Sequence, residues 1–153
     1  KLAVSPESRN LVRLFHAMNE AKKLSGGEEA REVSRLAVLG GGFMGAGVAS
    51  ISLGLCPVVV RDLSDEVLST AAKVIDDGLN RPVRSGAIRP ADADRRRSRL
   101  LLTTEADDIE GADLVIEAVF EDSGLKAKVT QEAEPKLVAN GIFASNTSTI
   151  PIT

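Results

Sequence analysis

Gly40, Gly42 and Gly45 stand two and three positions apart, directly after the apolar run Leu36-Ala-Val-Leu39. About 20 positions further on, Asp62 closes a second apolar run, Val58-Val-Val-Arg61. Residues of these types at this spacing suit the chemistry of holding a diphosphate and a sugar. Gly40 permits a sharp turn off a strand. Gly42, without a Cβ, lets the backbone approach a pyrophosphate, and Gly45 lets the following helix pack closely on the strand. The helix N-terminus offers unpaired N–H groups and partial positive charge. A carboxylate at Asp62 accepts hydrogen bonds from an adenosine ribose and repels a 2′-phosphate, so the pattern predicts NAD over NADP. The competing reading is a glycine-rich turn with no ligand. The β-branched run before it, the small-residue helix from Ala46 to Leu53 after it, and the placing of the acid favour a dinucleotide site.

The surrounding pattern must supply strands and helices to position these groups. Strands are expected over 35–39, 58–62, 100–103, 114–119 and 142–145. Helices are expected over 42–53, 64–80 and 125–137, the last disturbed by Pro135. Short apolar strands alternating with helices predict an α/β fold with a doubly wound parallel sheet of the Rossmann type. A separate amphipathic helix is expected from Ser5-Pro6-Glu7 to about Leu24, stopping at Gly26-Gly27, with Leu11, Leu14, Phe15, Met18 and Ala21 on one stripe. The organisation is therefore a linker helix and connector over 1–33 and a nucleotide-binding domain over 34–153.

An insert follows the second helix of the domain. Its seven arginines, Arg81, Arg84, Arg89, Arg95, Arg96, Arg97 and Arg99, face only Asp92 and Asp94 within the segment. It reads as a helical hairpin, either simply solvated or acting as a basic clamp for a phosphorylated ligand. The formal charge of −3 and the lack of interleaved aromatics exclude a general nucleic-acid surface. No apolar run reaches the length of a membrane span, and the N-terminal residues lack signal-peptide character. No metal-ligand set is expected. Cys56, the single cysteine, excludes an internal disulfide and fits a reducing compartment as a small buried filler.

Three segments together resemble the NAD-binding domain of 3-hydroxyacyl-CoA dehydrogenases. They are Gly40-Gly-Gly42-Phe43-Met44-Gly45, Val115-Ile-Glu117-Ala-Val119-Phe120-Glu121 with Lys126 five positions on, and Ser145-Asn146-Thr147-Ser148. The run Ala144 to Ile152 is particularly similar to the dehydrogenase part of multifunctional fatty-acid oxidation alpha subunits, which join an enoyl-CoA hydratase to the dehydrogenase. The resemblance covers nearly the whole chain and implies NAD as cofactor. It also implies a 3-hydroxyacyl-CoA substrate oxidised to the 3-ketoacyl-CoA, with a hydratase domain and a thiolase subunit as partners; the reducing compartment read from the single cysteine gives a cytoplasmic location as the expectation, bacterial cytosol or organelle matrix.

The resemblance also implies roles for matched positions. Phe43 and Met44 belong to the cofactor turn, and Asp62 is the ribose acid. Val119, Phe120 and Glu121 lie along the nicotinamide half, and Lys126 contacts the cofactor. Ser148 aligns the substrate hydroxyl beside the nicotinamide, with Asn146 as a second polar contact. The family's catalytic histidine is expected beyond the Ser-Asn-Thr-Ser run, after the last residue of the chain, so the chain alone is expected to bind NAD without turnover. His16, the single histidine, lies on the linker helix.

Plainer readings stand beside these roles. Met44 can be a core residue, Lys126 a surface lysine, and 145–149 an ordinary Ser/Thr turn. Glu117 is assigned to structure or solvent. Two other functions remain in competition: a short 3-hydroxy acid dehydrogenase, and a non-catalytic dinucleotide-binding or interaction module.

Overall fold

The computed structural model describes residues 5–21 and 31–150. The chain divides into two units, Lys1–Glu32 and Val33–Thr153. In the first, α1 spans Pro6–Ala21, and the Ser5 hydroxyl caps it by accepting from the Ser8 N–H. Leu11, Leu14, Phe15 and Met18 on α1 are exposed. Leu24 and the Gly26-Gly27 stop lie outside the described residues.

The second unit alternates strand and helix: β1 (Leu36–Leu39), α2 (Phe43–Ser52), β2 (Val58–Arg61), α3 (Asp65–Arg84), α4 (Pro90–Arg97), β3 (Leu100–Thr103), β4 (Ala112–Glu117), α5 (Ser123–Ala133) and β5 (Leu137–Ser145). The five strands form one parallel sheet in the order β3-β2-β1-β4-β5. This is the doubly wound α/β arrangement, with the order reversing next to β1.

The sheet buries both faces, which explains why its central strands read as unbroken apolar runs. Leu36, Val38, Val58 and Val60 pack on Ala46, Ala49 and Leu53 of α2 and on Leu68, Ala71, Ile75 and Leu79 of α3. Ala37, Leu39, Val59 and Val115 pack on Ile109, Val129 and Ala133 across the other face. Each fully buried aliphatic side chain contributes about 1.5–3 kcal/mol, so these two layers set the positions of the strand ends.

Some boundaries differ from expectation for identifiable reasons. Helix α3 runs through Pro82 to Arg84 instead of stopping at Asn80, because a proline this near the C-terminus costs a single ladder bond. Its free C-terminal carbonyls are used: the Pro82 carbonyl accepts from Ala87 N–H, and a turn at Gly86 leads into α4. Gly78 is where α3 crosses α2, since a Cβ there would lie 2.1 Å from Ser50 Oγ. Strand β5 begins at Leu137, five residues earlier than expected, and carries Asn140 at φ 65°. The helix expected over 125–137 starts at Ser123 under an Asp122 cap and ends at Ala133, with a single 3₁₀ turn over Glu134–Lys136.

The arginine-rich insert is the hairpin of α3 and α4. Its guanidinium groups do not face Asp92 and Asp94 alone. Arg84 pairs with Asp77, and Arg97 pairs with both Asp76 and Asp94, while Arg89 and Arg95 share Asp92. Arg81 and Arg84 sit in the last turn of the 20-residue α3, at the far end from Asp65. The pairing favours a solvated hairpin over a phosphate clamp.

Candidate functional site

The glycine turn is built by backbone approach. Gly40 has φ +100°, and a Cβ there would lie 2.7 Å from the Ala118 carbonyl oxygen. A Cβ on Gly45 would lie 1.9 Å from the Gly40 carbonyl oxygen, so only glycine lets α2 start this close to β1. Gly42 differs from both. It is the N-cap of α2 at φ −64°, ψ −175°, and a Cβ there would meet nothing within 4 Å. The absence of a Cβ at Gly42 therefore serves no contact within the chain; it keeps open the space in front of the helix. No side chain caps α2, so its first-turn N–H groups face that space.

Asp62 lies just past β2 and is fixed by two backbone donors. The Gly41 N–H donates to Oδ2 at 2.8 Å and the Ser64 N–H to Oδ1 at 3.1 Å. The carboxylate is thus tied to the glycine turn across the strand ends, at the edge of a crevice of about 470 Å³. This crevice is lined by Gly40, Gly42, Phe43, Met44, Asp62, Val119 and Phe120 among the residues expected from sequence. Leu39, Arg61, Leu63, Val67, Ala118, Leu125 and Val129 complete the wall and were not foreseen. Met44 is half exposed, which overturns the core alternative for it. The size and mostly apolar lining suit a small-molecule site, and it sits at the carboxyl ends of the strands where open α/β sheets bind ligands.

Glu121, Lys126, Asn146 and Ser148 do not line this crevice. They form a polar cluster joining the ends of β4 and β5. Its centre is Glu117, fully buried on β4. Lys126 Nζ donates to both Glu117 carboxylate oxygens at 2.9 Å, the Val119 N–H donates to Oε1, and the Ser145 hydroxyl to Oε2. Glu117 is therefore structural, and its solvent alternative is excluded. Lys126 is buried, which overturns the surface alternative. Burial pulls the Lys126 ammonium toward deprotonation, but bonding to Glu117 and Glu121 outweighs this and holds it above its usual range.

Glu121 anchors the Ser-Asn-Thr-Ser turn. Its Oε1 accepts from the Thr147 hydroxyl at 2.6 Å, the Ser148 and Thr149 N–H groups at 3.1 Å, and the Thr149 hydroxyl at 3.1 Å. These donors, the Thr147 hydroxyl first, pull the carboxyl down to about 2. The Ile150 N–H donates back to Thr147 Oγ1, so the segment does include a Ser/Thr turn. The Asn146 N–H is held by the Glu117 carbonyl, and the Ser148 side chain is left exposed.

A dinucleotide fits this construction. The space before α2 is open and faced by backbone N–H groups, the anchored carboxylate of Asp62 is a hydrogen-bond acceptor at its edge, and the walls are mostly apolar. Among the described residues no helix is long and apolar enough to cross a membrane.

Comparison with known proteins agrees with the geometry. Residues 35–153 match the family model described as 3-hydroxyacyl-CoA dehydrogenase, NAD binding domain. The fatty acid oxidation complex subunit alpha of Shewanella frigidimarina is 42% identical over 99% of this chain and 22% of its own length. This chain therefore spans about a fifth of the length of such relatives. Among solved structures, 3-hydroxybutyryl-CoA dehydrogenase from Escherichia coli K12 superposes with a TM-score of 0.74 at 32% identity, over 80% of this chain and 26% of that one. The (S)-3-hydroxybutyryl-CoA dehydrogenase from Ralstonia eutropha gives 0.72 at 31% identity, over 79% and 43%. The chain belongs to the 3-hydroxyacyl-CoA dehydrogenase NAD-binding domain family.

Proposed function

We propose that this chain is the domain through which a longer 3-hydroxyacyl-CoA dehydrogenase holds NAD while a 3-hydroxyacyl-CoA thioester is oxidised to the 3-ketoacyl-CoA. The observation that carries the proposal is the glycine turn bonded to Asp62 at the mouth of the crevice, with the Ser148 turn fixed at the neighbouring strand end. NAD, when bound, supplies the hydride acceptor.

The residues of this chain bind and orient. The uncapped start of α2 faces the diphosphate, and Asp62 accepts from the adenosine ribose. Phe43, Met44, Val119 and Phe120 provide apolar walls. Glu121 and Lys126 act chiefly by holding the turn on which Ser148 and Asn146 meet the substrate hydroxyl. Oxidation also requires a general base for the hydroxyl proton. His16 is exposed on α1, in the unit that does not carry the crevice. A polypeptide of these 153 residues is therefore expected to bind NAD without turnover.

The relatives' name and length support placing the chain in a multifunctional fatty-acid oxidation protein. In that setting an enoyl-CoA hydratase domain and a thiolase subunit would work beside it in the cytoplasm. Two assays test the proposal. Calorimetry on the polypeptide should show saturable NAD binding and no NADH from 3-hydroxybutyryl-CoA. In a longer protein containing the chain, Ser148→Ala should lower kcat on the order of a hundredfold while NAD affinity holds. Absence of NAD binding, or a Ser148→Ala enzyme with parental kcat, would defeat it.

A further inference from the structure

We infer that Glu117 is a positioning residue for the proposed oxidation, holding the crevice wall at Val119 and the Ser148 turn in one fixed register. The inference rests on the function proposed above and deepens it. Glu117 ends β4, flanked in the parallel register by Leu39 of β1 and Ser145 of β5. On the β1 side, the chain after Glu117 packs on the glycine turn. The Ala118 N–H donates to the Leu39 carbonyl at 2.8 Å, and the Ala118 carbonyl oxygen is the atom that a Cβ on Gly40 would meet at 2.7 Å. On the β5 side begins the run that leads to Ser148.

The carboxylate ties the two sides together. Oε1 accepts at 2.8 Å from the N–H of Val119, which lines the crevice. Oε2 accepts at 2.6 Å from the hydroxyl of Ser145. Lys126 Nζ stands 2.9 Å from both oxygens, so the roughly four acceptor sites of the carboxylate are all used. The Glu117 backbone carbonyl accepts from the Asn146 N–H at 2.8 Å. Lys126 extends the link. Its ammonium reaches the Asn146 carbonyl at 3.4 Å and Glu121 Oε2 at 3.3 Å, and the other Glu121 oxygen holds Thr147, Ser148 and Thr149. The start of the turn hangs on Glu117, its far end hangs on Glu121, and one ammonium joins the two carboxylates.

Stability alone does not account for a charge at this strand end. Glu117 is fully buried and Lys126 is buried beside it. Such a pair gives little net stability over apolar side chains of similar volume, because desolvation offsets the attraction. What the pair supplies is direction. Hydrogen bonds fix lengths and angles that apolar packing leaves loose, and a misplacement of about 1 Å far from the chemistry can slow a reaction about a hundredfold.

The test uses a longer dehydrogenase that contains the chain, studied well below its Tm. Single-turnover NADH formation from 3-hydroxybutyryl-CoA separates the hydride step from binding and product release. Ser145→Ala removes one hydroxyl from Glu117 and should lower the single-turnover rate by about tenfold, with KM and NAD Kd within about twofold of the parent. Glu117→Gln keeps a single acceptor oxygen, cannot hold both sides, and should lower the rate by at least as much; Ser145→Ala carries the test if that variant does not fold. A merely structural role would reduce the amplitude, through fewer folded molecules, and leave the rate. Hydrogen exchange of the ligand-free protein reads the same link without turnover: Glu117→Gln should speed exchange at both Val119 and Asn146, and Ser145→Ala at the turn alone. A parental rate in Ser145→Ala, losses confined to the amplitude, or unchanged exchange at the turn would overturn the inference. A parent protein that forms no NADH, or a Ser148→Ala enzyme with parental kcat, would instead defeat the proposed function.

Discussion

Substituting alanine at Gly42 and at Gly45 separates what the glycine turn does for the fold from what it does for a ligand. At Gly42 the backbone angles are open to alanine, and a Cβ meets nothing within 4 Å. Alanine is a poorer N-cap than glycine by some tenths of a kcal/mol, while reduced freedom of the unfolded chain returns about 0.4–1 kcal/mol. Stability should therefore change by less than about 1 kcal/mol, a Tm shift of a few degrees. The new methyl group would stand in the space assigned to the diphosphate. Overpacking there costs about 1–3 kcal/mol, which raises the NAD Kd by roughly 5- to 150-fold. Gly45→Ala should do the reverse: its Cβ would lie 1.9 Å from a backbone oxygen, so α2 must move, at a cost of about 3 kcal/mol or more in folding. Thermal melts and NAD calorimetry read both effects. A Gly42→Ala chain that binds NAD within twofold of the parent would refute the placing of the diphosphate, and a Gly45→Ala chain of parental stability would refute the turn geometry.

Other outcomes follow from the same contacts. Asp62→Ala should weaken NAD by about tenfold and narrow its advantage over NADP, since a ribose acceptor and a repelling charge are lost together; equal calorimetric affinities before and after would contradict the assignment. Glu117→Ala leaves the Lys126 ammonium without its closest buried partner and should cost about 3–5 kcal/mol in denaturant melts; a loss below 1 kcal/mol would show that Glu121 alone satisfies the lysine. The Glu121 carboxyl, at about 2 instead of the ordinary 4.5, stabilises the folded state fully above pH 4.5, and that contribution is lost as pH falls through 2. The amide signals of Thr147 to Thr149 should therefore hold their positions down to about pH 3 in the parent chain and shift near neutral pH in Glu121→Gln. Parental signals in the variant across the whole range would contradict the anchoring role.

The sequence disclosed the parts of the site that are local. Gly40, Gly42, Gly45 and Asp62 lie within one strand–helix–strand unit, where spacing dictates geometry, and the doubly wound topology follows from right-handed crossovers between parallel strands. Glu117 and Arg61 were harder to read because their meaning comes from distant partners. Glu117 takes Lys126 from a helix and Ser145 from the next strand, while Arg61 reaches Glu132 across the sheet face. Nothing in periodicity distinguishes such a buried charge from a solvated one. An opposite charge at suitable strand parity is the available signal, and it is weak. The early start of β5 was hidden because Asn140, at φ 65°, and Gly141 interrupt the apolar run before Ile142. The salt bridges of the α3–α4 hairpin were hidden because Asp76 and Asp77 lie outside the arginine-rich segment itself.

The claim on which the rest depends is that NAD occupies the crevice between the glycine turn, Asp62 and Val119. Titration of the isotope-labelled chain with NAD, followed by backbone amide NMR, tests it directly. Saturable shifts should be largest at Gly41, Gly42 and Phe43, extend to Leu63 and Val119, and be small at the hairpin amides of Arg89 to Arg97. Shifts centred on that hairpin, or no saturable shifts at millimolar NAD, would contradict it.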